Sequence, residues 1–286
     1  MGKLRERMQE EMVLRGMSVR TQESYLAAVV ALTKHYGCAP DTIDEEQVRS
    51  YVLYLLVERS LSASSVKVAV SAIRFFFHTT LKRKDLHLDL PRPKRPSKLP
   101  YVLAREEIVG LIEAADDLRE RTWFMTAYGA GLRVSELCAL EPCHIDAKRM
   151  CLRVEQGKGA KDRDTLLSQR LLLQLRTYWQ EYRPAHWLFP AARDPRNRMD
   201  EQIAQRAFRA ARLRAGITKP CGIHSLRHAF ATHLLEAGVD VQTIQRLMGH
   251  SDIRSTLHYF YLAREHLSAT PSPLELLELP KPPSSS

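Results

Sequence analysis

Apolar residues recur at helical spacing four times in the first third of the chain. The runs cover 2–15, then Ser18 to Tyr36 with Tyr25, Ala28, Val29 and Leu32. The third covers 45–59 with Val48, Tyr51, Val52, Leu55 and Leu56, and the fourth covers 62–79 with Val66, Val70, Ile73 and either Phe76 or Phe77. Each repeat puts its apolar side chains on one helix face. Ser18 and Asp44 stand where N-caps belong, and Glu45 and Glu46 give the third run an acidic first turn that suits the helix dipole. Short connections between four such helices predict a compact antiparallel bundle. The pattern then stops: DLPRPKRPSKLPYVL, residues 89–103, holds four prolines, which disfavour helix and keep the chain extended.

Beyond residue 103 the pattern is mixed. Ala104 to Asp117 and Leu118 to Tyr128 read as helices, the second apolar on several sides and therefore central. Gly129 and Gly131 break it, so Arg133 opens a new helix, RVSELCAL, after a tight turn. RMCLRVE (149–155) and DTLL (164–167) are short strand signals on either side of QGKGAKDR, a glycine-containing hairpin tip. Helices follow at 168–182 and 201–215, with a polar loop at 191–200 between them. A further helix begins at His224, and another carries Val241, Ile244 and Leu247 on its apolar side with Gly249 just past its end. The predicted fold is mainly α with a small β-hairpin or sheet. A four-helix N-terminal domain spans 1–88, a basic proline-rich linker 89–103, an α+β domain 104–270 and a tail 271–286.

Charge narrows the partner. The chain carries a net +10 with a pI near 9.5, which favours a polyanion, and nucleic acid leads that class. From Leu81 to Lys98, seven basic residues face two acidic ones; Lys82, Arg83, Lys84, Arg92, Lys94 and Arg95 make a cationic strap suited to DNA phosphates. Five cysteines, an odd number without framework spacing, point to a reducing compartment. Cys138, Cys143 and Cys151 with His144 lack a CxxC pair and fall on different elements, so no metal is expected. The charged N-terminus has no apolar h-region and no apolar run reaches membrane length, which predicts a cytoplasmic protein without a membrane partner.

Four polar residues near the C-terminus stand out by spacing. His224 and Arg227 lie three apart, on one helix face; His250 follows Gly249 at a helix boundary; Tyr259 comes nine residues later. Singly, each is ordinary, a cap or a surface residue. Together, HSLRH, GHS and the tyrosine resemble the C-terminal signature of the tyrosine recombinases, the phage-integrase family with its Xer-like and integron-integrase-like members. AGLRVSEL (130–137) matches that family's first arginine box with Arg133, and GKGAKDR (157–163) matches its hairpin lysine with Lys158. The likeness covers about 104–265 and is weaker over 1–88.

The resemblance implies that the N-terminal helices are a SAM-like core-binding domain that clamps DNA opposite the catalytic domain. It implies Tyr259 as nucleophile, forming a 3′-phosphotyrosyl link, and Lys158 as the acid for the leaving 5′-hydroxyl. Arg133 and Arg227 suit the scissile phosphate, since a planar guanidinium fork matches its oxygens. His224 fits a proton acceptor and His250 a donor to the phosphate. Lys161 and Arg163 are expected at phosphates. Tyr261 is a competing nucleophile. The histidines His224, His228 and His233 invite a metal, but Arg227 beside them would repel it. Neither cofactor nor metal is expected. The implied partners are a double-stranded DNA recombination site and, on it, further copies of the chain in a synaptic tetramer. Leu274 to Leu279 either docks in trans or frays. Two alternatives share the fold: a type IB topoisomerase-like relaxing enzyme and a catalytically silent DNA-binding regulator.

Overall fold

The computed structural model describes residues 2–83, 101–155 and 162–249. The chain divides into two compact units, Met1–Lys98 and Leu99–Ser286, each with its own apolar core. The first unit is built from α1 (Gly2–Leu14), α2 (Val19–Tyr36), α3 (Glu45–Val57) and α4 (Ala63–Phe75). The core positions anticipated from periodicity, among them Val29, Leu32, Val48, Val52, Val66 and Ile73, are buried. The Ser18 hydroxyl accepts from the Thr21 amide, and Asp44 and Gln47 form a reciprocal capping box at the start of α3.

The fourth helix departs from the expected 62–79. It ends at Phe75 and continues as a π-helical turn, Phe76–Thr80, in which the Leu81 amide donates to the Phe76 carbonyl at 2.9 Å. Phe76 and Phe77 are both buried and meet edge to face, ring centroids 5.5 Å apart. The widened turn lets two consecutive aromatic rings reach one core, and each such burial contributes about 1.5–3 kcal/mol.

The second unit contains α5 (Arg105–Glu113), α6 (Leu118–Gly129), α7 (Val134–Cys138), a 3-10 turn at Pro142–His144, a sheet, then α8 (Gln169–Tyr182), α9 (Glu201–Arg214), α10 (His224–Glu236) and α11 (Val241–Met248). The sheet is antiparallel and three-stranded, β1 (Ile145–Asp146), β2 (Cys151–Val154) and β3 (Arg163–Leu166), in the order β1-β2-β3. Leu152 pairs with both Ile145 and Thr165, and Val154 pairs with Arg163. The hairpin was anticipated; β1, two residues long, was not.

Helix α10 is the centre of this unit. Ser225, Leu226, Arg227, Ala229, Phe230, Ala231, Thr232 and Leu235 are all buried, so it is enclosed on almost every side. It packs against α6, and α11 packs on both α10 and β3. Ile244 and Met248 anchor α11 to that core, with Val241 and Leu247 partly covered. Among the described residues no helix is long and apolar enough to cross a membrane.

Candidate active site

The site begins at the end of α6. Gly131 takes a left-handed φ of +61°. Its amide donates to the Tyr128 carbonyl at 3.2 Å, and the Leu132 amide donates to the Ala127 carbonyl at 3.0 Å. This is the bond pair of a Schellman motif. A β-carbon at position 131 would lie 2.4 Å from the ring of Phe230 on α10, so only glycine lets the turn seat against that helix. Gly131→Ala is expected to combine left-handed strain with overpacking, about 2–4 kcal/mol, lowering the melting temperature by roughly 4–16 °C. An unchanged thermal transition would show that the contact with Phe230 is not needed.

The turn delivers Arg133 to the N-cap of α7. One turn later stands Glu136, the residue on which the site is built. Its side chain is about 94% buried and accepts from three guanidinium groups. Arg133 Nη1 lies 2.5 Å from Oε1. Arg163 meets both oxygens, Nη1 to Oε1 at 2.9 Å and Nη2 to Oε2 at 2.7 Å. Arg227 Nη1 lies 3.4 Å from Oε2. The Arg133 backbone amide adds a bond to Oε2 at 2.8 Å. Burial alone would raise the Glu136 pKa, but the bonds and charge of Arg163, with the Arg133 amide and Arg227, bring it from 4.5 to about 2. One carboxylate and three guanidinium groups leave a local charge of +2, which suits an anion.

Two of these arginines also hold the end of α11. Arg227 is 4% exposed; it donates through Nη1 to the Gly131 carbonyl at 2.7 Å and through Nη2 to the Met248 carbonyl. Arg163 Nε donates to the Leu247 carbonyl at 2.8 Å. Carbonyls at a helix C-terminus have no intrahelical donor, and here side-chain cations supply it. Gly249, left-handed with φ of +60°, closes the helix where a β-carbon would lie 2.8 Å from Arg163 Cδ.

His224 opens α10 one turn before Arg227, with an exposed face to its ring. Its pKa is held below 6.5, first by partial desolvation, then by the charge of Arg227, with Arg133 acting the same way and Glu201 and Glu136 opposing. The imidazole is therefore neutral at pH 7 and able to accept a proton. The described part of the site thus joins a proton acceptor to two guanidinium groups fixed on a common counter-ion.

The family model described as the phage integrase family matches residues 101–266. The chain belongs to the phage integrase family. The model for the phage integrase N-terminal SAM-like domain matches residues 4–85. The chain is 45% identical over 280 residues to the protein y4qK of Sinorhizobium fredii, covering 98% of this chain and 91% of that protein. It is 36% identical over 228 residues to the tyrosine recombinase XerA of Thermococcus kodakarensis, covering 78% and 79%. A crystal structure of XerA recombinase, 30% identical, matches 93% of this chain and 96% of its own with a TM-score of 0.55. A lambda integrase dimer bound to a COC′ core site matches 91% and 94% with a TM-score of 0.73 at 20% identity, a likeness of fold.

Within this integrase-family chain the structure brings Arg133, His224 and Arg227 together. Lys158, His250, Tyr259 and Tyr261 lie outside the described residues, as do Lys84, Arg92, Lys94, Arg95 and Lys161. Lys82 is exposed, whereas Arg83 lies over the Phe77 ring at 5.9 Å and donates to the Asp41 and Ile43 carbonyls at 3.4 Å. Arg163, expected at DNA phosphates, is turned inward. It shares the inward face of β3 with Thr165 while Asp164 and Leu166 are exposed, its side chain is 8% exposed, and its guanidinium is engaged with Glu136.

Glu136 itself carried no role in the sequence reading. Its signal was the spacing to Arg133: a glutamate three residues after a helix start reaches back to the cap amide, and buried arginines require a nearby anion. Among the described residues, Glu141, Cys143 and His144 come close enough to share a metal. However, His144 Nδ1 accepts the Glu141 amide at 3.1 Å, which puts the ring proton on Nε2 and leaves that nitrogen no lone pair for an ion. Cys138 is buried within α7, where desolvation, then Glu201, pushes its thiol up to about 12. His233 is likewise committed, its Nδ1 lying 2.9 Å from the Tyr128 hydroxyl.

Proposed function

We propose that this chain is a site-specific DNA recombinase that cuts and rejoins strands through a 3′-phosphotyrosyl intermediate. The observation that supports it is the clamp: Arg133 and Arg227, from two distant motifs, each reach the buried Glu136 through one terminal nitrogen. Cleaving a phosphodiester requires a nucleophile, charge neutralisation on the non-bridging oxygens and an acid for the leaving alkoxide. The Tyr259 oxygen attacks phosphorus, and its proton passes to the neutral His224. The bond from phosphorus to the 5′ oxygen breaks, and that oxygen takes a proton from Lys158. Arg133, Arg227 and His250 hold the charge that builds on the phosphoryl oxygens. The strand's bond energy is retained in the tyrosyl ester, so attack by a partner strand's 5′-hydroxyl reverses the step without ATP or metal.

In this reading residues 1–88 clamp DNA opposite the catalytic domain, 104–270. Lys82, Arg83 and the basic residues of the linker, 89–103, follow phosphates between them. Four copies assemble on two sites, in the cytoplasm. Arg133→Lys and Arg227→Lys keep the charge and lose the fork, so cleavage of a nicked suicide duplex should fall by about 10²–10³-fold while the dissociation constant for DNA stays nearly unchanged. Equal losses in cleavage and binding would remove the two arginines from the chemistry. Relaxation of plasmids lacking any special site, without joint molecules, would instead favour the topoisomerase-like reading.

A further inference from the structure

We propose that Arg163 is a positioning residue for strand cleavage, holding Glu136 through both carboxylate oxygens so that the fork of Arg133 remains turned to the scissile phosphate. This rests on the recombinase reading above.

The argument is one of competition. A carboxylate and a phosphate offer a guanidinium fork the same planar pair of acceptors. A buried glutamate beside Arg133 and Arg227 is therefore a rival to the substrate. Arg163 removes the rival by occupying it: its two terminal nitrogens lie 2.9 and 2.7 Å from the two oxygens, the one bidentate pair at this carboxylate among the described residues. Arg133 then meets Glu136 through Nη1 alone, whereas Arg227 is held by the Gly131 and Met248 carbonyls as well as by Glu136. Without Arg163 the carboxylate is drawn into the full fork of Arg133, and the local charge falls from +2 to +1.

The placement of Arg163 is built rather than incidental. It leaves β3 on the inward face, its Nε is fixed on the Leu247 carbonyl, and Gly249 clears the space its Cδ fills. Three elements, β3, α7 and the end of α11, are thereby joined at one side chain.

The test compares two suicide duplexes in single-turnover cleavage by the full chain, one with an ordinary scissile phosphate and one with a methylphosphonate there. The methyl group removes one non-bridging charge and with it the need for one of the arginines. Arg163→Met should cut the ordinary strand on the order of 10–100-fold more slowly than the wild type. Its DNA dissociation constant should stay within about threefold, and on the methylphosphonate the gap should close to about threefold. Arg163→Lys, which keeps the charge and a smaller core perturbation, should show the same narrowing from a smaller starting loss. An equal loss on both duplexes, or melting of both variants below the assay temperature, would assign Arg163 to stability and overturn the proposal. Weaker binding with a shallower salt dependence would make it a phosphate contact after all and also overturn it. Absence of any wild-type adduct would sink the recombinase reading itself, whereas wild-type cleavage with unimpaired Arg163 variants would sink only this inference.

Discussion

Tyr259→Phe should form no SDS-resistant adduct on a nicked suicide duplex, while the wild type should accumulate one and Tyr261→Phe should behave as the wild type. The substitution removes a single oxygen, so DNA affinity should be unchanged and the loss falls entirely on the covalent step. A phenol with an ordinary pKa of about 10 is ionised about one part in a thousand at pH 7, a handicap of roughly 4 kcal/mol that a base and nearby cations must offset. His224 is suited to that because partial desolvation, and then the charge of Arg227, lowers its pKa. A base whose pKa is depressed stays unprotonated further into acid, so the acid limb of the cleavage profile should fall below pH 6.5. A limb above 6.5, or one unmoved by His224→Ala, would take the proton acceptor elsewhere. An adduct that persists in Tyr259→Phe and vanishes in Tyr261→Phe would move the nucleophile by two residues.

Glu136→Ala should be the most destabilising single change in the catalytic unit. It strips the counter-ion from three arginines, two of them with side chains under 10% exposed. Leaving buried charges without their partner costs about 3–5 kcal/mol, which in a domain of this size lowers the melting temperature by roughly 6–20 °C. The same ionisation predicts acid sensitivity. The Glu136 pKa is lower in the folded chain, about 2 against 4.5, so its contribution of roughly 3 kcal/mol is complete above pH 4.5 and is lost as pH falls toward 2. Thermal melts of wild type and Glu136→Ala between pH 7 and pH 3 check both statements, since the gap between the two proteins should narrow with acid. A constant gap would mean that Glu136 acts by packing rather than by charge.

The bundle was legible because its helices carry their own instructions: apolar residues three and four apart, and Ser18 and Asp44 standing where caps belong. Arg133, His224 and Arg227 could be picked out because the motifs around them resemble those of the tyrosine recombinases. What escaped reading depended on contacts that no window of sequence contains. Alternation along four residues of β3 says that Arg163 and Thr165 share a face, but not which face is the inner one; a charged hairpin tip beside them argued for the wrong side. Glu136 reads as a helix cap until the guanidinium groups of Arg163 and Arg227, both remote in the chain, arrive beside it. The switch to a π turn at Phe76 changes a hydrogen-bond partner by one residue, which leaves the spacing of apolar positions almost untouched. Strand β1, at two residues, is shorter than any repeat can mark.

The tethering of α11 by Arg163 and Arg227 bears on how this protein can be re-engineered. Chimaeras with a relative that are joined within the proline-rich linker keep the apolar core of each unit whole. A crossover between residues 133 and 248 separates the carboxylate, its cations or the helix end they cap, and the hybrid is viable only where both parents bring matching pieces. Domain shuffling aimed at new target sites should therefore treat that whole interval as one indivisible cassette.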